Sequence, residues 1–167
     1  MPSADRVAFV TQAAYHRVVL HRTYPTQNCS IARSLEVIGE RWTLLIVRDA
    51  ILGLRRFDDF QESLGISTNV LTSRLRGLCD EGVLRRQPDP DRPGRSEYVL
   101  TDKGRELVPA LITLMKWGDR HYPGPDGPPR LTLHVDCGGS VSPTLECTSC
   151  GERVGRGGLE LPQTTAG

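Results

Sequence analysis

Four residues near the C-terminus have the types and the spacing to hold a metal. His134 and Cys137 are separated by two residues, Cys147 and Cys150 likewise, and nine residues lie between the pairs. Zinc takes four nitrogen or sulfur ligands in a tetrahedron, and a two-residue gap lets each pair grip the ion from one turn. Glycine follows the second member of each pair, at Gly138 and Gly151, where the backbone must bend around the ion. Four protein ligands would leave no open position, so such a Zn2+ would be structural and not hydrolytic. Two other readings stay open: a Cys147–Cys150 redox pair, or reduced thiols with no ligand role. His134 is the weakest of the four, because one histidine is easily incidental. The remaining cysteines are Cys29 and Cys79, five in all. An odd count with no signal-peptide pattern argues against a secreted disulfide framework and for a cytoplasmic protein.

A second candidate chemistry is contact with nucleic acid. Of the 21 basic residues only Lys103 and Lys116 are lysine. Arginine suits bidentate contact with phosphates and guanine edges, although a codon bias would give the same excess. Residues 67–79 carry Val70, Leu71, Leu75, Leu78 and Cys79 at helical spacing. The opposite side holds Asn69, Thr72, Ser73, Arg74 and Arg76, with no acidic residue among them. Asparagine can pair with adenine and arginine with guanine, while serine and threonine adapt to bases or phosphates. Arg92 and Arg95 flank Pro93-Gly94 a short way downstream. A polar helix face is often no more than a solvated one, so these residues need elements that present them together.

Those elements can be read from periodicity. Ile31, Leu35 and Ile38 recur at helical spacing before Gly39. Trp42, Leu45, Ile46, Asp49 and Ala50 form a second helical set before Gly53. Phe57, Phe60 and Leu64 form a third before Gly65. Ser67 or Thr68 can cap the next helix, predicted over 67–81. Residues 83–86 then read as a strand, 87–95 as a Pro/Gly/Asp-rich hairpin tip, and 96–100 as the returning strand with Tyr98 and Leu100 on one face. Thr101 can cap a final helix striped with Leu107, Leu111, Leu114 and Met115. The fold class is therefore mainly α with a small β-hairpin wing: a winged helix-turn-helix, with a small C-terminal zinc-ribbon-like segment. Residues 1–28 form an N-terminal arm, 29–122 the winged helix, 123–130 a Pro/Gly linker, 131–155 the ribbon segment and 156–167 a flexible tail.

Residues 29–122 resemble the HxlR-type winged-helix transcriptional regulators of bacteria. The pattern runs from Cys29 through Leu35 and Ile38-Gly39-Glu40-Arg41-Trp42. It continues through Arg56-Phe57-Asp58-Asp59-Phe60, Gly65-Ile66-Ser67-Thr68-Asn69-Val70-Leu71, Arg74-Leu75, Leu78 and Gly82. It closes on Tyr98-Val99-Leu100-Thr101 and Gly104. The order of elements is specific, although no single element is. The resemblance implies a homodimer on double-stranded DNA, with a pseudo-palindromic site whose half-sites lie about 34 Å apart or a multiple of that. It places Ser67, Thr68, Asn69, Thr72, Ser73 and Arg76 toward the groove, with Arg92 and Arg95 on the wing. Arg74 would either touch phosphate or pair with an acidic neighbour. Some relatives use the cysteine at the Cys29 position as a redox sensor. Here Ser30 follows it where proline is common in the family, and the alternative is that Cys29 is a small apolar residue in the core.

Composition bounds the rest. At 38% hydrophobic and 25% charged residues the 167-residue chain can bury a core, so wholesale disorder is excluded. No run nears the roughly 20 apolar residues of a membrane span. A net charge of +1 points to no class of partner, and DNA binding needs only a local basic patch. There is no Gly-rich phosphate loop and no His–acid pair beside a nucleophile, so an enzyme is not expected. The competing reading is a protein-interaction module that uses the winged helix and the ribbon. A small molecule or an oxidant is the candidate effector, and no constellation of residues identifies it.

Overall fold

The computed structural model describes residues 24–155 other than 26, and residues 157–162. The N-terminal arm thus lies outside the described residues as far as residue 23, and the tail is described only in part. Helix α1 (Ser30–Ile38) starts where Cys29 is extended and ends at Gly39, whose N–H donates to the Leu35 carbonyl at 2.8 Å. Helix α2 (Thr43–Ile51) buries Ile46 and Val47. Helix α3 (Phe57–Leu64) buries Phe60 and stops at Gly65, which at φ 61° takes a left-handed conformation that favours glycine. Only Ile66 and Ser67 separate Gly65 from helix α4 (Thr68–Asp80). Ile66 is buried and pins the turn, and the Ser67 hydroxyl accepts the Val70 N–H at 3.5 Å as the cap of α4. Helix, tight turn and helix follow directly from this punctuation.

The core gathers the inward residues of these helices. Ile46, Val47, Phe60, Ile66, Leu71, Leu75 and Leu78 pack with Val83 and Leu84, and Val70, Cys79, Tyr98 and Leu100 lean against them half-buried. Strand β1 (Leu84–Pro88) pairs antiparallel with β2 (Ser96–Leu100), in register from Leu84 opposite Leu100 to Pro88 opposite Ser96. The strand therefore runs two residues beyond the expected 83–86, and the wing tip shrinks to residues 89–95. The Gln87 side chain donates to Glu97 at 2.6 Å, which carries the ladder up to Pro88. The segment before α3 adds a third edge: Tyr98 N–H donates to the Arg55 carbonyl at 2.7 Å, and Arg56 bridges Glu97.

The expected single final helix is two. Helix α5 (Asp102–Arg105) is capped by Thr101, whose hydroxyl oxygen accepts the Gly104 N–H at 3.1 Å. Helix α6 (Val108–His121) restarts with Pro109 in its first turn, where a missing N–H costs nothing. Gly104 is pressed against β1's entry, since a Cβ there would collide with the Val83 carbonyl oxygen. Beyond Tyr122 no described residue is buried. That segment contains one bridge, Leu133 opposite Ser140, and a two-residue hairpin of β3 (Leu145–Glu146) with β4 (Arg153–Val154). Among the described residues no helix is long and apolar enough to cross a membrane.

Candidate nucleic-acid interface

Burial of Leu71, Leu75 and Leu78 fixes the rotation of α4. Its opposite face then presents Ser67, Thr68, Asn69, Thr72, Ser73, Arg76 and Gly77, all exposed. Arg76 makes one loose pair, its Nε 3.8 Å from the Asp80 carboxylate with both groups open to solvent. Such a pair is worth little in water and yields readily to a stronger anion. The Thr68 hydroxyl accepts a hydrogen bond from Gln61 Nε2 at 3.1 Å, which ties α3 to the first turn of α4.

Arg74 departs from the group. Its guanidinium lies 3.1 Å from the Glu40 carboxylate, largely covered, and its Nε is buried with no partner among the described residues. Of the two roles left open for it, the structure displays the pairing with an acidic neighbour. Glu40 stands between α1 and α2, so the pair ties α4 to that segment. Asp49 does similar work from α2. This buried carboxylate accepts from Arg48 Nε at 2.8 Å and from the Ser63 hydroxyl at 2.8 Å, joining α2 to α3. The sequence left a pairing open for Arg74 without naming Glu40, and it showed nothing of the second brace, where Asp49 is simply one position of a helical set.

Arg92 and Arg95 are exposed on the wing. The tip is closed by the Asp89 N–H donating to the Arg95 carbonyl and the Arg95 N–H to the Arg92 carbonyl, both at 3.0 Å. Gly94 takes φ 79°, which the turn requires. The tip's own acids are occupied by Arg56: its Nε is 2.7 Å from Asp89, and its second nitrogen 3.0 Å from Asp91. Hydrogen bonding to Arg56, with help from the Asp91 amide, holds the Asp89 carboxyl below the usual aspartate range. Arg56 thus anchors the wing and offsets the negative charge beside Arg92 and Arg95. Arg55, Arg85 and Arg86 are further exposed cations around the wing that the sequence pattern did not single out.

Cys29 is exposed immediately before α1. The backbone amides of Ala32 and Ile31 hold its thiol below the ordinary cysteine range, and Arg33 adds to this. Cys79 behaves oppositely: burial pushes its thiol up, and Asp80 adds to the rise. The four residues of the cysteine cluster are brought together only in pairs. His134 Nδ1 lies 3.3 Å from Cys137 Sγ, and Cys147 lies beside Cys150. Among the described residues no group of three or more His, Cys, Asp or Glu is gathered closely enough to hold a metal.

Comparison with known proteins adds three similarities. The HTH-type transcriptional regulator Rv3095 of Mycobacterium tuberculosis (strain H37Rv) is 48% identical over 125 residues, 75% of this chain and 79% of its own length. The crystal structure of PA1607, a candidate transcription factor, matches with a TM-score of 0.73 at 38% identity, over 81% of this chain and 95% of that one. The redox regulator HypR in its reduced form matches with a TM-score of 0.52 at 31% identity, over 55% of this chain and 92% of that one. The model of the HxlR-like helix-turn-helix family matches residues 37–125. With a helix-turn-helix whose outer face is polar and a hairpin beside it, this chain belongs to the HxlR-like helix-turn-helix family of transcriptional regulators.

Proposed function

We propose that the protein reads a pseudo-palindromic operator as a homodimer, through the helix 67–81 and the wing 87–95. The observation that carries this reading is the outer face of α4. Asn69, Thr72, Ser73 and Arg76 are exposed together, and no carboxylate interrupts them before Asp80. An α-helix fills the major groove, and these side chains match the donor and acceptor edges found there. Ser67 and Thr68, at the N-terminus of α4, are suited to phosphate. Arg92 and Arg95 extend the contact to the flanking backbone or the minor groove. Arg74, committed to Glu40, shapes the helix-turn-helix and does not read bases. The DNA-binding unit is taken as residues 29–122, acting in the cytoplasm without catalysis.

Control by thiol oxidation is part of the same reading. It is supported by the exposure of Cys29, by the amides that favour its thiolate, and by the likeness to HypR, named as a redox regulator and solved in reduced and oxidized forms. A small-molecule effector is the alternative input.

Selection of genomic DNA fragments by the purified, reduced protein, at low and near-physiological salt, tests the proposal. One pseudo-palindrome should be enriched and survive the higher salt. Asn69→Ala and Arg76→Ala should each relax preference at one position, at a cost of about 1–3 kcal/mol. Arg95→Ala should weaken all sequences evenly and flatten the salt dependence. Retention that is blind to sequence and lost at higher salt would overturn operator recognition and favour the protein-interaction reading.

A further inference from the structure

Among the described residues after Tyr122 none is buried to hold the segment. Leu131, Leu133, Val135 and Leu145 are all exposed. A chain of this length cannot form a sufficient core by itself, so another cross-link has to supply its stability.

Its two turns share one design. In the first, the Gly138 N–H donates to the His134 carbonyl at 2.8 Å, and the His134 N–H to the Gly139 carbonyl at 2.8 Å. In the second, the Gly151 N–H donates to the Cys147 carbonyl at 2.8 Å, and the Cys147 N–H to the Glu152 carbonyl at 2.9 Å. The offsets along the chain are identical. Gly138 and Gly151 occupy equivalent places and take nearly equal left-handed conformations, φ 67° and 71°. Each turn also brings its pair of donors to one side. His134 Nδ1 and Cys137 Sγ are 3.3 Å apart. Ligands at about 2.0 and 2.3 Å from one tetrahedral zinc stand about 3.5 Å apart. Space is kept open around Cys137, where a Cβ on Gly139 would stand 3.2 Å from the sulfur.

We propose that these are the two halves of one structural zinc site, with His134, Cys137, Cys147 and Cys150 as the ligands. Each half alone supplies two donors, half of what the ion needs. The nine residues between the halves let them close face to face. The isolated Leu133–Ser140 bridge and the β3–β4 hairpin each tie one turn to its flanks. Binding Zn2+ displaces the thiol protons of the three cysteines, so affinity drops as the pH is lowered. All four positions are filled, so the metal fastens the fold and performs no hydrolysis. The closed ribbon would lie against the C-terminal half of α6, where Trp117, Arg120 and His121 already line a groove with Thr144, Leu145 and Arg153.

The test is zinc content by elemental analysis of the full chain, purified in reductant without chelator, combined with X-ray absorption at the zinc edge. One zinc per chain bound by three sulfurs and one nitrogen is expected. Cys137→Ser and Cys147→Ser should lose it, while Cys29→Ser and Cys79→Ser should keep it. His134→Cys should retain one zinc and change the ligand set to four sulfurs, a gain that misfolding cannot imitate. Hydrogen exchange after chelation should rise across residues 131–155 and stay unchanged in α2–α4. The proposal is overturned by protein that contains no zinc and takes none up from stoichiometric zinc chloride. A Cys147–Cys150 disulfide in the purified chain, or full zinc retention in Cys137→Ser and Cys147→Ser, would overturn it equally.

Discussion

Cys29 and Cys79 show how position, not residue type, sets reactivity. Cys29 precedes the first turn of α1 and Cys79 lies on the inward side of α4. Cys29 faces the unpaired amides at the start of α1, which favour its thiolate, whereas Cys79 is half-buried against the core beside Asp80. The thiolate is the reactive form, so the two should separate in a pH series. Alkylation of Cys29 by iodoacetamide, followed by mass spectrometry, should reach its half-maximal rate below the pH of an ordinary thiol, which is about 8.5. Cys79 should react last and only at higher pH. Equal profiles for the two would contradict the role given to the α1 amides. The same contrast explains Arg74 and Arg76, two residues apart on α4. Arg76 points to solvent, and Arg74 meets Glu40, a residue far away in sequence. Periodicity could place both on the polar side of the helix, but it could not show that one of them has a partner waiting at the edge of that side.

At the scale of elements, helices ended by glycine were the most legible part. Gly39, Gly65 and Gly82 stop their helices where the pattern places them, and the outer residues of α4 other than Arg74 are exposed as their spacing requires. Contacts between elements were not legible, because they depend on how segments distant in sequence meet. The wing is the clearest instance. Its acids, Asp89 and Asp91, look like ordinary turn residues, yet they bind Arg56 across more than thirty positions. This ion pair makes a prediction about pH. The folded-state value of Asp89 is depressed, so its contribution is complete above the ordinary aspartate range and is lost as pH falls through the lower, folded value. Amide exchange in β1 and β2, corrected for intrinsic rates, should stay slow from neutral pH down to the ordinary aspartate range and quicken below it. Asp89→Asn should give fast exchange in the wing at every pH while α2 and α3 remain protected. It should also lower DNA affinity evenly across sequences, because the arginines of the tip are displaced and no base reader is removed. A wing that behaves in Asp89→Asn as in the parent would assign its order to the β1–β2 ladder alone.

On the scale of the whole molecule, the distribution of apolar surface bears on assembly. Helix α6 runs for 14 residues without one buried residue. Leu114 and Trp117 are about half exposed, and on α1 Ile31 is 70% exposed with Leu35 beside it at 41%. Both helices carry apolar residues at helical spacing, and such a stripe ordinarily marks the side turned to the core. Here Val37 of α1 and Leu107 and Leu111 of the last stripe lean half-buried on the core, while Ile31, Leu35, Leu114 and Trp117 remain outside it. Apolar side chains of this size clustered on terminal helices favour burial against another surface, and a second copy of the chain presents the same stripes by two-fold symmetry. The full chain should therefore run by light scattering as a dimer of 18.5 kDa chains. Trp117→Asp and Leu114→Asp should shift it to monomer, because a carboxylate would have to be desolvated in the contact. Neither change should disturb the core packing, and circular dichroism should remain that of the parent. Coupling to DNA follows from geometry. On the proposed operator one dimer would hold two half-sites together, so a monomeric variant should bind a single half-site as the parent does and lose the gain from the second. If Trp117→Asp stays dimeric, the contact lies elsewhere; if it turns monomeric and still binds the full operator with undiminished affinity, the two halves are read independently.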